Sequence, residues 1–456
     1  MTVVENKWLS GPYAPIEGDV TATELTIEGT LPPELEGRYL RNGPNPITPV
    51  NPATHHWFVG DAMVHGIRLG GGKADWYHAR MVRSTRVSEQ LGEAPVPGER
   101  HADMDTANTN VIGLGGKTFA IVEAGGRPVE LSYDLDTVCH SDLSGGLPHG
   151  YTAHPKVDPI TGDRHAISYY WGIPHLEYSV IGADGIVKQV SPVEMDDGPM
   201  VHDCSITESW AIVYDLPVTF DLDTAMSGGG FPYSWKQERA ARIGLIPLGG
   251  SGSEVRWFEI NPCYAFHPLN AHDDGETVVI DIVRYDRMFD AKRLGPDDSP
   301  PLLWRWTIDT TTGAVREEQL ADQPMEFPRI DERLVGRPYR WGYGSAIQRS
   351  DQDNGFGGHL VRIDGKTGDL TRIDLGTGHT SGEWVMVPRH VDAAEDDGWL
   401  LSLVYDASTE RSELLVLPAA DPADGPVARV LLPNRVPLGF HGNWVPDRND
   451  QDAAEG

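Results

Sequence analysis

Cysteine is scarce in this chain: among 456 residues there are three, Cys139, Cys204 and Cys263. An odd number without C-x-x-C spacing argues against a disulfide scaffold and against a thiolate metal site, and points to a reducing compartment. Basic residues are also few, 37 Lys and Arg against 68 Asp and Glu, for a net charge of −31. A surface this acidic repels nucleic-acid phosphate and anionic lipid headgroups, so no nucleic-acid partner is expected. No apolar run reaches the ~18 residues needed to span a bilayer, and the N-terminal stretch lacks an apolar signal core. These absences predict a soluble cytoplasmic protein. The G-x-G-x-x-G, P-loop, G-x-S-x-G and H-E-x-x-H motifs are missing too, which removes the common dinucleotide, phosphate, serine-hydrolase and zincin readings.

Turn chemistry is abundant. The 51 glycines and 35 prolines are spread along the whole chain, as many short strands joined by tight turns require. Thr118–Val122, Ala166–Tyr170, Ala211–Tyr214, Thr277–Val283, Leu302–Ile308 and Trp399–Val404 are short and rich in β-branched or aromatic residues. The segments 158–163, 309–315 and 364–370 share an Asp…Thr-Gly pattern suited to antiparallel hairpins. Recurrent hairpins over this length fit an all-β propeller of four-stranded blades. With no Pro/Ser-rich linker, residues 1–446 are expected to form one catalytic domain, and 447–456 a disordered acidic tail. Ser234–Ile243 is the best helical candidate, placed in an insertion above one propeller face.

Seventeen histidines are the remaining lead. His154, His202, His267 and His441 lie in apolar or turn-rich surroundings near expected strand ends, where inner strands of a propeller would bring them to one axis. Imidazole nitrogens suit iron(II), zinc(II) or copper(II).

The surrounding text resembles the carotenoid cleavage oxygenase family. The ordered matches include LEGRYLRNGPNP at 35–46, HWFVGDAMVHGIRL at 56–69, ANTNVIGLGGKTFAIVEAGGRPVEL at 107–131, TAHPKVDPITGD at 152–163, VHDCSITESWAIVYDLPVTFD at 201–221, FHPLNAHDDGETVVIDIVRY at 266–285, MEFPRI at 325–330, SGEWVMVPR at 381–389 and PLGFHGNWVP at 437–446. The resemblance implies a seven-bladed β-propeller with a small helical and loop dome over an iron face. It assigns His154, His202, His267 and His441 as ligands of one Fe(II) per chain, with O₂ as co-substrate. It places Glu123, Glu326 and Glu383 behind three of the imidazoles, where a carboxylate fixes the tautomer and raises ligand basicity. Thr109 matches a position beside an open coordination site. His56 and His65 read as packing or turn residues, and His149, His165, His175, His272 and His379 as surface or loop residues.

Two departures stand out. The stilbene-cleaving branch usually carries Lys before the glutamate matched by Glu123; here it is Val122, which disfavours phenolic substrates and suits a polyene held by burial at ~25 cal/mol per Å². Trp384 follows Glu383 where the family often has Pro, which puts the local backbone in question. The expected activity is oxidative cleavage of a C=C bond of a carotenoid or apocarotenoid into two carbonyl products. The alternatives are cleavage of a stilbene or phenylpropene to aromatic aldehydes, and a non-catalytic propeller scaffold. A lipophilic conjugated alkene as substrate predicts an apolar patch at the tunnel mouth for peripheral membrane contact. Trp171, Phe231 and Trp235 are candidate tunnel aromatics.

Overall fold

A computed structural model describes residues 6–101, 105–227, 231–349 and 354–447. The predicted tail lies, from 448 onward, outside the described residues. The strands fall into seven antiparallel sheets arranged as blades, joined by a separate small hairpin of Val218–Phe220 and Tyr233–Trp235. Blades 2 to 6 each use four strands consecutive in the sheet, and their innermost strands begin at Asn110, Lys156, Cys204, Tyr264 and Met325.

The ring is closed twice. Gly442–Pro446, near the C-terminus, pairs with Gly37–Pro44 and becomes the innermost strand of the first blade, with Arg41 opposite Gly442. Thr26–Gly29, near the N-terminus, pairs with Ala428–Leu431 at the outer edge of the last blade. Both ends therefore tie the first blade to the seventh, and the ring has no open edge there.

Each predicted strand is present within two residues, as Lys117–Ile121, Arg164–Ser168, Trp210–Asp215, Thr277–Tyr285, Leu302–Asp309 and Gly398–Asp406. The three Asp…Thr-Gly segments form equivalent hairpins. Gly162, Gly313 and Gly368 take φ of 71°, 79° and 80°, and each donates its N–H to the Asp carbonyl four residues earlier at 2.8 Å. Left-handed backbone is the reason for glycine at that position.

The predicted helix over 234–243 is not formed. Tyr233–Trp235 and Ala241–Pro247 are strands instead. Lys, Gln, Glu, Arg and Ala favour helix locally, but the tertiary setting prevails: Ala241, Ile243 and Leu245 are buried in the fourth blade. Arg239 and Arg242 both reach the buried Asp215, at 2.7 and 2.6 Å. The α-helices among the described residues are Thr85–Leu91 and Leu222–Ser227. The first is capped by Ser84 and ends at Gly92 in left-handed conformation. None is long and apolar enough to cross a membrane. The three cysteines are unpaired, and Cys204 and Cys263 are buried.

Candidate metal centre

His154, His202, His267 and His441 meet on the propeller axis, with one ring nitrogen of each within 4.8 Å of the others. The Nε2 atoms of His154 and His202 are 3.1 Å apart, and those of His202 and His267 are 3.0 Å apart. All four rings are buried. Each sits at or just before an innermost strand, so four distant sequence segments deliver one imidazole apiece. Around His267 the pairing with Thr277–Tyr285 shifts register twice, between Ala265 and Asn270. Pro268 within that segment has no N–H to give the ladder, and the resulting bulge re-aims the side chain.

The three glutamates stand behind three of these rings. Nδ1 of His202 donates to Glu123, which also accepts the Tyr169 hydroxyl. Nδ1 of His267 donates to Glu326 at 2.6 Å, and the Tyr285 hydroxyl donates to the other oxygen at 2.7 Å. Nδ1 of His441 donates to Glu383 at 2.9 Å, whose second oxygen takes the Gly442 N–H and the Arg329 guanidinium, each at 2.9 Å. With Nδ1 the donor in every case, Nε2 is left unprotonated and turned to the common centre. Burial works to raise all three carboxyls. The imidazoles beside them, and for Glu383 first the Arg329 guanidinium, outweigh it, so all three are held low, Glu383 at about 2. Burial likewise pushes the Tyr169 and Tyr285 phenols up, which keeps them as O–H donors.

Local backbone strain accompanies this placement. Ala124 and Phe327, the residues after Glu123 and Glu326, take φ of 60° and 52°, a region unfavourable to a side chain and for Phe a clear outlier. The Phe327 N–H turns back to Glu326 at 2.6 Å. At Glu383 the device is different. Ser381 pairs with Val404 and Val385 with Leu401, so residues 382–384 leave the ladder with one extra residue and aim Glu383 inward. Trp384 is fully buried beside Tyr343 and Met386 in that arrangement. The departure from the family's Pro is absorbed by packing, with Glu383 on His441.

His154 differs from the other three. Its Nδ1 lies 3.6 Å from Asp203, beyond hydrogen-bond reach, and Asp203 is held instead by Lys156 at 2.9 Å. Sequence reasoning missed Tyr169, Tyr285, Arg329, Asp203 and Lys156. Asp203 directly follows His202, Arg329 falls within MEFPRI, Lys156 within TAHPKVDPITGD, and Tyr285 ends FHPLNAHDDGETVVIDIVRY, so proximity to a motif was the available signal; nothing marked Tyr169.

Thr109 is buried next to the cluster: its carbonyl accepts the His441 N–H at 3.1 Å, and its hydroxyl donates to Asn108 at 3.2 Å. His65 bonds Tyr77 at 3.0 Å inside the first blade. His56 stacks on Phe231 with ring centres 4.5 Å apart. His165 is not a surface residue. It is buried, with Nδ1 2.7 Å from the Tyr178 hydroxyl, because its strand faces the next blade. His149, His175, His272 and His379 are half-buried, the last three within strands.

Above the cluster lies a cavity of about 730 Å³ lined by Phe58, Phe231, Phe266, Phe327 and Phe440, with His202, His267 and His441 in its wall. Val122, Thr109 and Trp171 also line it. Trp235 does not; it packs on the guanidinium of Arg287. Trp171, Leu222 and Met226 are 51%, 57% and 80% exposed. Trp171 stacks on Phe220 of the cavity wall, and Leu222–Ser227 follows at once, so the three form an apolar rim.

The donor set fits a non-haem metal. Four imidazole nitrogens converge with no thiolate among them, which suits iron, zinc or copper in the divalent state. Of the carboxylates around the rings, Asp203 is paired with Lys156, and Glu383 with Arg329, which Glu332 shares. Glu123 and Glu326 meet imidazole and phenol donors instead, so the surroundings of the cluster are net negative and favour a cation.

The sequence pattern of the family described as retinal pigment epithelial membrane protein matches residues 13–446. A carotenoid cleavage oxygenase of Mycobacterium tuberculosis is 42% identical over 97% of this chain and 98% of its own length. Among solved structures, the lignostilbene dioxygenase of Pseudomonas brassicacearum superposes with a TM-score of 0.88 at 30% identity, covering 98% of this chain and 100% of that one. The cobalt-substituted apocarotenoid oxygenase of Synechocystis gives 0.85 at 27% identity, over 96% and 98%. A seven-bladed propeller, four axial histidines and these matches over nearly the whole length together make this chain a member of the carotenoid cleavage oxygenase family.

Proposed function

We propose that this chain is an iron(II) dioxygenase that uses O₂ to split one C=C bond of a carotenoid or apocarotenoid. Each alkene carbon takes one oxygen atom of O₂, giving two carbonyl products. The observation that carries this reading is the opening of the histidine cluster into an aromatic cavity: Phe266 lies 5.1 Å from His202, and Phe327 lies 5.4 Å from His267 and 5.1 Å from His441, ring centre to ring centre. His154, His202, His267 and His441 would hold the iron, and Glu123, Glu326 and Glu383 would keep three of the rings in the liganding tautomer. When bound, iron(II) supplies the activation of O₂ beside the alkene.

The chain's own residues do the rest. The phenylalanine wall takes a polyene out of water and fixes which double bond faces the cluster. Thr109, next to His441 and in the cavity wall, would limit what fits beside the histidine cluster. No general acid or base is required, and the two glutamates in the wall, Glu123 and Glu326, have both oxygens engaged. Val122 places hydrocarbon where a phenol-binding ammonium would stand. The likeness to lignostilbene dioxygenase favours a second reading, stilbene cleavage.

A competition decides between them: iron-loaded protein in air with equal amounts of an apocarotenal and a hydroxystilbene, products identified by mass spectrometry. Shortened polyene aldehydes are expected, and their mass locates the scissile bond. Aromatic aldehydes alone would overturn the substrate assignment. His202→Ala is expected to lose iron and turnover together; an iron-replete, active variant would refute the four-histidine site. The rim of Trp171, Leu222 and Met226 supports peripheral membrane contact at the cavity mouth, where a lipophilic substrate would enter.

A further inference from the structure

A second cavity, of about 1190 Å³, reaches His154, His267 and His441 from the other side. The innermost strands of all seven blades border it, with Asn110, Lys156, Ser205, Asn270, Arg329 and Asn443 among its polar lining, so it is the axial channel of the propeller. Along these strands the residues switch cavity at the ligands. Phe266 lines the aromatic side and Leu269 and Asn270 the polar side, with His267 on both; Phe440 and Asn443 flank His441 in the same way. The four imidazoles therefore form a floor between an apolar chamber and a polar one. His202 faces only the first and His154 only the second.

The ligand that faces only the polar chamber is also the one without a carboxylate on its ring nitrogen. Three rings are pinned at Nδ1, whereas His154 stands 3.6 Å from an Asp203 that Lys156 holds at 2.9 Å, and both members of that pair line the polar chamber. A hydrated dication crossing the phenylalanine chamber would give up water between aromatic walls, with Glu123 and Glu326 already engaged by imidazole and phenol donors. Carboxylate, amide and carbonyl oxygens of the polar chamber can take the place of that water.

We propose that the metal enters and leaves through the axial channel, that His154 is the ligand that turns aside to admit it, and that the Lys156–Asp203 pair governs this turn by keeping Asp203 off the ring. The arrangement lets the site load while substrate fills the aromatic chamber. The inference rests on the four histidines holding the metal.

The test follows Fe(II) release from the iron-loaded protein to excess ferrozine without oxygen, and the stoichiometry measured beforehand separates the two readings. No iron in the wild type would overturn the site itself, whereas iron near one per chain with the wrong kinetics would overturn only the route. With hexadecanol filling the aromatic chamber, its occupancy read from tryptophan fluorescence, the release rate should stay within twofold; a tenfold slowing would mean that iron leaves by that chamber. Lys156→Met frees Asp203 to take the His154 Nδ1–H, and release should slow at least fivefold. Asp203→Ala takes away a carboxylate already held off the ring, so release should stay within twofold, and in the double variant Lys156→Met with Asp203→Ala the slowing should disappear. A merely structural role of the pair would leave the double variant as slow as Lys156→Met, and that outcome, or no slowing in Lys156→Met, would overturn the proposal.

Discussion

Glu383→Gln is the substitution whose consequences can be worked furthest from the geometry. Both carboxylate oxygens face donors: His441 on one side at 2.9 Å, Gly442 N–H and Arg329 on the other, each at 2.9 Å. An amide of the same shape must turn its NH₂ toward one side or the other. Toward His441, it forces Nδ1 to accept, which moves the ring proton to Nε2 and removes the ligand lone pair. Toward Arg329 and Gly442, it breaks two hydrogen bonds and leaves the guanidinium without its buried counter-charge. Removing one partner of a buried pair costs about 3–5 kcal/mol; the lower end applies, because Arg329 keeps Glu332 at 2.9 Å. About 3 kcal/mol lowers Tm by about 3 °C for a chain of this size. Iron affinity should fall by about 10–100-fold, the usual loss when a ligand's outer partner is removed. Anaerobic competition with a chromophoric chelator measures the second effect, and calorimetry the first. Adding Arg329→Met to the variant should restore melting without restoring affinity. A variant that binds iron within threefold of wild type and melts at the same temperature would refute this account of how His441 is held.

Three further outcomes are expected. Val122→Lys puts an unpaired ammonium in an apolar wall, so kcat/KM for an apocarotenal should fall at least tenfold while hydroxystilbene turnover rises; unchanged polyene kinetics would mean that Val122 does not touch the substrate. Ala124→Gly relieves a left-handed backbone at φ of 60°, worth about 1 kcal/mol against about 0.5 kcal/mol of extra unfolded-chain entropy. Its urea midpoint should therefore rise slightly, and a clear fall would show that the Ala124 methyl matters more than the strain. Leu222→Ser with Met226→Ser should cut co-sedimentation with neutral liposomes about tenfold; equal binding would place the membrane contact elsewhere on the surface.

The sequence made the ligands legible because each histidine sits in a short, self-contained segment at the head of an inner strand. The same holds for Glu123, Glu326 and Glu383, each in a compact motif whose order along the chain is kept. The roles of Tyr169 and Tyr285 were not legible. Their value lies in a hydroxyl meeting a glutamate 46 and 41 residues away in sequence, a contact that only blade packing creates. The helix expected over 234–243 failed for a related reason: its helix-forming arginines serve an aspartate, Asp215, on a neighbouring strand, so local propensity was overruled by a pairing that no window of ten residues contains. His165 reads as a loop residue until the sheet register buries it against Tyr178.

The same distinction bears on chemistry. What the local segments specify is a set of metal ligands, which by themselves suit several divalent ions. What the packing adds is asymmetry: three rings pinned and one released, a hydrocarbon chamber on one side of the floor and a polar channel on the other. An oxygenase acting on a lipid-like alkene gains from that division, because the substrate and the charged metal are poorly served by one passage. Backbone strain also meets this floor, where Ala124 and Phe327 hold left-handed backbone directly after two of the glutamates. Those residues face the chamber in which the reacting bond must be positioned, and a wall fixed by strained backbone has little freedom to let the alkene slide past the cluster.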